Sequence, residues 1–484
     1  MLTKRSLFAV VCINVMQSVA DSPEVLSLRN KLLTLKDSKN YAKNYYDMKN
    51  TLIDPAVVAE AMRQYDVTDL NTAAIRQIGG IVKYIEDKTG EEFVHFEMGV
   101  PGLPPVRIGI EAEHRALDEG KPAIYPPMPG IPELKREASR FLKAFVNVDI
   151  SPEGCIPTVG SMQGAYAILT LCSQIDRRKD TILYIDPGFS VQKTQADVIG
   201  VKRESFDVYD YRAEKLGPKL ESYLQKGNVA AILFSNPNNP TWMCLSDSEL
   251  KTIGELATKY DTIVIEDLAY LGMDFRRDLG KPFQPPYQVS VSRYTDNYII
   301  MMSASKIFSY AGQRIAVIAI SDKIYSRYYE DLMKRYGLGR FGQVMVQRIL
   351  YCLSSGTSHT AQYAIAAMLK AASDGTLDFV EEVKEYGRRT AKLKEIFQRN
   401  GFHIVYDHDL DEPLSDGFFF TVGYKDVEGG ELLRQLMHYG VSAIVLSTTG
   451  SDQQGLRICA STVQPRHYDM LDRRLRLFNE NYGK

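Results

Sequence analysis

Apolar runs too short for ordinary helices recur between about residues 155 and 320, at 230–234, 262–265, 298–302 and 315–320 among others. Each is rich in Ile, Val, Leu, Ala or Met and stops abruptly at polar residues, the pattern of strands buried on both faces. Helical stretches separate most of them. The chain is therefore expected to fold as α/β, with a mostly parallel sheet built from crossover units and flanked by helices. In such a sheet a ligand binds outside the carboxyl ends of the strands. The residues just after each run are the ones to examine.

After the run at 298–302 comes Ser303-Ala304-Ser305-Lys306-Ile307-Phe308-Ser309-Tyr310-Ala311-Gly312-Gln313-Arg314. Lys306 is expected on a strand-to-strand crossing rather than on a helix face. The serines and Arg314, with its planar fork of donors, can reach one phosphate. The run at 230–234 enters Ser235-Asn236-Pro237-Asn238-Asn239-Pro240-Thr241, a rigid turn that holds an amide side chain in place. The run at 262–265 ends in Glu266-Asp267, with Tyr270 shortly beyond. A carboxylate there can pair with a protonated ring nitrogen, while the asparagine and the tyrosine can hydrogen-bond a ring oxygen. Taken singly, these are a loop lysine, a common turn and an acid at a strand end. Their order and spacing point to one site.

With those motifs in that order, the chain resembles the class I/II aminotransferases of fold type I, the aspartate-aminotransferase-like family, from about Gly99 to Arg457. The resemblance implies a large domain that binds pyridoxal 5'-phosphate, plus a smaller α+β domain. It makes Lys306 the Schiff-base lysine, Asp267 the partner of the pyridine nitrogen, and Tyr270 and Asn239 the partners of the ring hydroxyl. Arg314 and Ser303 would hold the phosphate, together with Ser161, Met162 and Gln163 at a strand-turn-helix start, where free N–H groups and the helix dipole attract an anion. Phe189 would stack on the ring, and Arg457 would grip the substrate α-carboxylate. Gly99 would line the substrate site with its backbone, and Tyr125 would reach the phosphate of a neighbouring subunit. Two positions depart from the family pattern. Trp242, the only tryptophan, stands where glycine is usual, and Met162-Gln163 replaces smaller or hydroxylated residues. Arg276 and Arg277 are candidates for binding a second substrate carboxylate, although solvated loop charges are the favoured reading.

The implied function is an aminotransferase moving an amino group from an amino acid to a 2-oxo acid by a ping-pong mechanism, as a homodimer with shared sites. Two other classes stay open. One is another pyridoxal-phosphate enzyme on the same scaffold, such as a C–S β-lyase, a decarboxylase or a cyclopropane-forming synthase. The other is a non-catalytic regulator, but the lead of roughly fifty residues has no helix-turn-helix pattern with a basic face.

Charge and cysteines narrow the partners. The 58 basic and 60 acidic residues give a formal net charge of −2, so no global field points to nucleic acid or a membrane. The six cysteines show neither Cys-x-x-Cys nor zinc spacing, which suggests free thiols, no metal and a cytoplasmic location. Against that, Lys4-Arg5, the apolar run at 7–13 and Ser18-Val19-Ala20 have the form of a secretion signal over residues 1–20, too short to span a bilayer as a helix. A start at Met48 is the alternative. The expected division is a lead or arm at 1–50, the N-terminal part of a small domain at 51–104, a large cofactor-binding domain at 105–355 and the C-terminal small domain at 356–484. Within the last two, a long helical region from about 323 to 399 precedes strands near 402–406, 417–422, 442–446 and 456–458.

Overall fold

The computed structural model describes residues 51–482. The expected lead, with its signal-like segment and Cys12, lies outside them. Seven strands form the main sheet: β1 (Cys155–Val159), β2 (Thr181–Asp186), β3 (Lys202–Asp207), β4 (Val229–Ser235), β5 (Ile263–Asp267), β6 (Tyr298–Ser303) and β7 (Ile315–Ile320). Their order is β1-β7-β6-β5-β4-β2-β3, and only β7 runs antiparallel to its neighbours.

The burial of these strands explains the apolar runs. Ile300, Met302 and Val317 join a core on one face, while Ile299, Met301 and Ile318 join another on the opposite face. Side chains alternate across a strand, so a strand covered by helices on both sides needs apolar residues throughout. The edge strand β3 has no such run. Its Lys202, Arg203 and Ser205 are exposed, which also guards the sheet edge against pairing with another chain.

A second unit is built around β8 (His403–Ile404), β9 (Phe419–Gly423), β10 (Ile444–Val445) and β11 (Leu456–Cys459), an antiparallel sheet in the order β10-β11-β9-β8. Its core joins Ile78, Ile81 and Val82 of the helix Ile75–Thr89 to Phe397, Phe420, Leu433 and Leu475. The helix His359–Ser373 does not belong to it. Ala361, Ile365 and Leu369 pack with Phe141 and Val317 on the main sheet, as do Phe379 and Tyr386 further on. The expected boundary at 356 thus falls before a helix that packs with the sheet. Apolar periodicity identifies a helix without saying which core it faces.

Lys306 also differs from expectation. It sits in a single helical turn, Ala304–Ile307, between the antiparallel strands β6 and β7. Ser303 caps that turn, its Oγ accepting from Ser305 N at 3.1 Å. Among the described residues, no helix is long and apolar enough to cross a membrane.

Candidate active site

The carboxyl ends of β4, β5 and β6 and the strand β11 of the second unit bring their next residues to one cavity of about 270 Å³. Gly99, Ser161, Met162, Phe189, Asn239, Asp267, Tyr270, Ser303, Lys306, Arg314 and Arg457 all line it.

At one part of this wall the helix Gly160–Cys172 begins with no side chain capping its N-terminus. Ser161 Oγ is buried there without a partner. Gly160 has φ +65°, and a Cβ on it would lie 2.4 Å from Arg314 Nη2. The bare glycine therefore lets the guanidinium come up against the helix start, while Arg314 Nη1 donates to Ala311 O at 2.8 Å. An uncapped helix end, an unsatisfied hydroxyl and an arginine form a site suited to a phosphate.

Asp267 ends β5, with Oδ2 accepting from Gln192 Nε2 at 2.9 Å and Oδ1 from Ala269 N at 3.1 Å. Burial raises its pKa to about 6. A cation placed beside it, such as a protonated ring nitrogen, would favour its ionised form. Tyr270 is buried, and burial pushes its hydroxyl well above the ordinary range. Its ring meets Trp242 edge-on at 5.2 Å. Asn239 donates its backbone N–H to Ser235 Oγ at 3.2 Å, and its Oδ1 faces Arg457 Nη1 at 3.5 Å.

Lys306 Nζ donates to the carbonyl of Gly99 and lies 5.0 Å from the centre of the Phe418 ring. Burial lowers its pKa to about 8, with Arg457 and Arg314 acting in the same direction. Arg457 is 3% exposed. It donates to the carbonyl of Glu97 and lies over Phe419 at 4.7 Å, yet its buried Nε has no partner. Burial lowers its pKa. A carboxylate ligand would complete its hydrogen bonding. The segment carrying Gly99 is fixed by Glu97, whose carboxylate accepts from Ser442 Oγ and pairs with His95 Nδ1 at 2.9 Å.

Four expected residues stand elsewhere. Gln163 does not line the cavity. Its Oε1 accepts from Val159 N at 2.8 Å and its Nε2 donates to Ser354 Oγ at 2.8 Å, fastening the end of β1 to the end of the helical turn Tyr351–Ser354. Tyr125 is 87% exposed and borders a larger, more open hollow with residues 354–360. Arg276 and Arg277 pair with Asp274, Asp409 and Glu412 instead of facing the cavity.

Other lining residues escaped the sequence reading. Gln192 lies one helical turn after Phe189, a spacing that puts the two on neighbouring faces once the helix Ser190–Ile199 is recognised. Phe419 was readable only as strand core. Ile75, Met98 and Val100 carry no chemical signal of their own.

The cavity's polar groups thus fit pyridoxal phosphate: donors for a phosphate, an acid for the ring nitrogen, a buried amine and a guanidinium with an unpartnered Nε. The sequence profile of the aminotransferase class I and II family matches residues 92–475. A probable aspartate aminotransferase of Methanocaldococcus jannaschii is 28% identical over 346 residues, 70% of this chain and 83% of that protein. An aspartate aminotransferase of Bacillus subtilis is 24% identical over 383 residues, 77% and 88% of the two chains. The solved alanine aminotransferase of Pyrococcus furiosus shares the fold, with a TM-score of 0.67 at 19% identity over 84% of this chain and 97% of that one. Placed with this profile and this fold, the chain belongs to the class I and II aminotransferases and is a pyridoxal-phosphate-dependent transaminase.

Proposed function

We propose that the cavity residues divide the work of transamination between an amino acid and a 2-oxo acid. Pyridoxal phosphate, when bound, supplies an aldehyde that takes up the amino group and a ring that withdraws electrons from the α-carbon. Lys306 is its covalent anchor and, once released, the base that takes and returns the α-proton. A pKa lowered to about 8 supports this, because roughly a tenth of the amine is then neutral at pH 7, against less than about a thousandth for an ordinary lysine. Asp267 keeps the ring nitrogen protonated. Tyr270 and Asn239 bind the ring oxygen, and Phe189 covers the ring. Ser161, Ser303, Arg314 and the N–H groups at the start of Gly160–Cys172 hold the phosphate. Arg457 binds the substrate α-carboxylate.

One observation carries this assignment. Ser161 Oγ and Arg457 Nε are buried without partners in the same cavity as the Lys306 amine. Buried polar atoms are nearly always hydrogen-bonded, so unpaired ones in a cavity indicate a ligand. Lys306→Ala is expected to abolish turnover with unchanged circular dichroism and Tm. Near-normal transamination by that variant would exclude the assignment. Loss of the cofactor's aldehyde absorbance on adding an amino acid alone marks transamination, whereas ammonia with pyruvate would mark elimination.

The reading extends to assembly and location. Ile124, Tyr125, Tyr351 and Leu353 are exposed apolar or aromatic side chains, which supports a homodimer in which Tyr125 completes the site of the second copy. Gel filtration of a fully active monomer would exclude that role. The free thiols Cys155, Cys172, Cys244 and Cys459 are buried, in keeping with a reducing cytoplasm. The relatives from Methanocaldococcus jannaschii and Bacillus subtilis are named for aspartate, and a second carboxylate on such a donor needs a second cation.

A further inference from the structure

The segment Phe96–Val100 runs beside β11, the strand that carries Arg457. Phe96 O accepts from Cys459 N at 3.2 Å, Glu97 O from Arg457 Nη2, Gly99 O from Lys306 Nζ and Val100 O from Ser461 Oγ. Glu97 is gripped by its side chain as well. It is 2% exposed, and its carboxylate accepts from Ser442 Oγ and pairs with His95 Nδ1 at 2.9 Å. Burying a carboxylate is costly unless it is bound, and no step of the proposed reaction uses this one.

The groups that bind the carboxylate are themselves fixed. Val94–His95 pairs in parallel with Val441–Ser442, and Phe96 N donates to Ser442 O at 3.2 Å. Ser442 thus holds the main chain and the side chain of the same short segment. His95 Nε2 meets Glu86 Oε1 at 3.0 Å on the helix Ile75–Thr89. The bond to Glu97 raises the pKa of His95 to about 9, so at neutral pH both ring nitrogens carry protons and donate. Arg457 gains a particular kind of neighbour from this arrangement. An acid bonded directly to its guanidinium would compete with a substrate carboxylate, whereas a carbonyl occupies one Nη and leaves the charge free for the ligand. The direction of that carbonyl is set by the backbone at residue 97.

Resting on the reading of Arg457 as the α-carboxylate site, we infer that Glu97 is a positioning residue for that site. Its carboxylate, clamped by His95 and Ser442, aims its own carbonyl at Arg457 and thereby sets the angle at which the guanidinium meets the substrate.

The test uses the holoenzyme and the best donor among the standard amino acids. Half-reactions followed by the cofactor's absorbance give a limiting rate and a half-saturating donor concentration. Glu97→Leu is expected to raise that concentration about tenfold or more and to leave the limiting rate within about twofold. Glu97→Gln should recover most of the loss, because its amide can accept from His95 and donate to Ser442 Oγ. Ser442→Ala removes one clamp with little change of volume and should raise the concentration about threefold, which keeps the inference testable if the leucine variant does not fold. In an Arg457→Gln background, Glu97→Leu should change kcat/KM by less than about twofold, since nothing is left to aim. An equal Glu97→Leu effect with and without Arg457 overturns the inference. So does a glutamine variant as impaired as the leucine one, an unchanged donor dependence in every folded Glu97 and Ser442 variant, or a fall in limiting rate in place of affinity. Each of these leaves Arg457 assigned. Arg457→Gln with no loss of donor affinity, or failure of every donor in a protein that holds the cofactor, overturns both readings.

Discussion

Arg457 and Arg276 are both arginines held largely out of water, and they behave in opposite ways. Around Arg276 every charge is answered. Asp409 accepts from Arg276 Nη2 at 2.9 Å, from Arg212 Nη1 at 3.1 Å and from Cys244 N at 3.0 Å, while Arg212 also forks onto Glu249. Burial alone would lower the pKa of Arg276, but the bonds from Asp274 and Asp409 raise it. Among the described residues Arg457 has no acid within ion-pair distance, keeps an unpaired Nε, and its pKa is lowered by burial. The Asp409 cluster is therefore architecture, tying the turn after Asn239 and the loop after Tyr270 to the hairpin of His408–Asp409 with Glu412–Pro413. The cavity is charge held ready for a ligand.

That contrast can be broken most directly at Arg457. Arg457→Gln is expected to lower kcat/KM by about 100- to 1000-fold through loss of a charged partner for the substrate. Tm should hold or rise, because an uncompensated buried charge is removed. A drop in Tm with little kinetic change would reverse the roles. Asp409→Asn should do the opposite. It leaves Arg212 and Arg276 underpaired and costs about 3 kcal/mol of stability, measurable by urea unfolding, with KM nearly unchanged.

Trp242 stands between the two regions. It is buried at φ +68°, its Nε1 donates to Ser415 Oγ at 3.0 Å, and it packs edge-on against Tyr270 and Phe419. Gly417 makes the room, since a Cβ there would fall 1.9 Å from the indole. Trp242→Gly relieves the backbone strain, worth about 1 kcal/mol, and empties a large space, costing about 3 kcal/mol or more. A net loss near 2 kcal/mol in urea unfolding is expected, with a fall in kcat as Tyr270 loses its support. An unchanged kcat would confine Trp242 to the architecture.

The smallest expected effect is on pH dependence. Lys306 has its pKa lowered to about 8, so the neutral amine forms at lower pH than in free lysine. Cofactor uptake by the cofactor-free protein should rise about tenfold between pH 7 and 9 and then level off, following the neutral fraction. The same shift makes the folded state release its proton before the unfolded state does, so the Lys306 contribution to stability grows between pH 8 and 10.5. An uptake rate still climbing steeply at pH 10 would show an unshifted lysine.

The sheet was legible wherever burial on both faces forces an unbroken apolar run, as in β4 to β7, and illegible at β3, whose Lys202 and Arg203 meet water. Asn239, Asp267 and Lys306 could be read because they follow such runs directly. Of the adjacent Met162 and Gln163 only the first lines the cavity. Successive helix residues point about 100° apart, and sequence does not fix the rotation of the helix about its axis. Ile75, Met98 and Val100 look like core residues until the fold opens a cavity beside them. Tyr125 was named only through resemblance, and its exposed ring stands outside the cavity of its own chain. The helix just after the expected boundary at 356 was ambiguous for a related reason: alanine-rich His359–Ser373 suits either core, and only tertiary contact assigns it.

The single turn that carries Lys306 has a kinetic consequence. Ala304 and Ile307 are fully buried, and the strands on either side are hydrogen-bonded to each other within the sheet. The α-carbon of the lysine is thus a fixed pivot, and the amine can travel only by rotation about the bonds of its own side chain. Such rotations displace a few atoms, whereas opening the protein moves loops and domains over microseconds to milliseconds. In its proposed roles of tether and proton carrier, the lysine can therefore change places without any step that opens the protein.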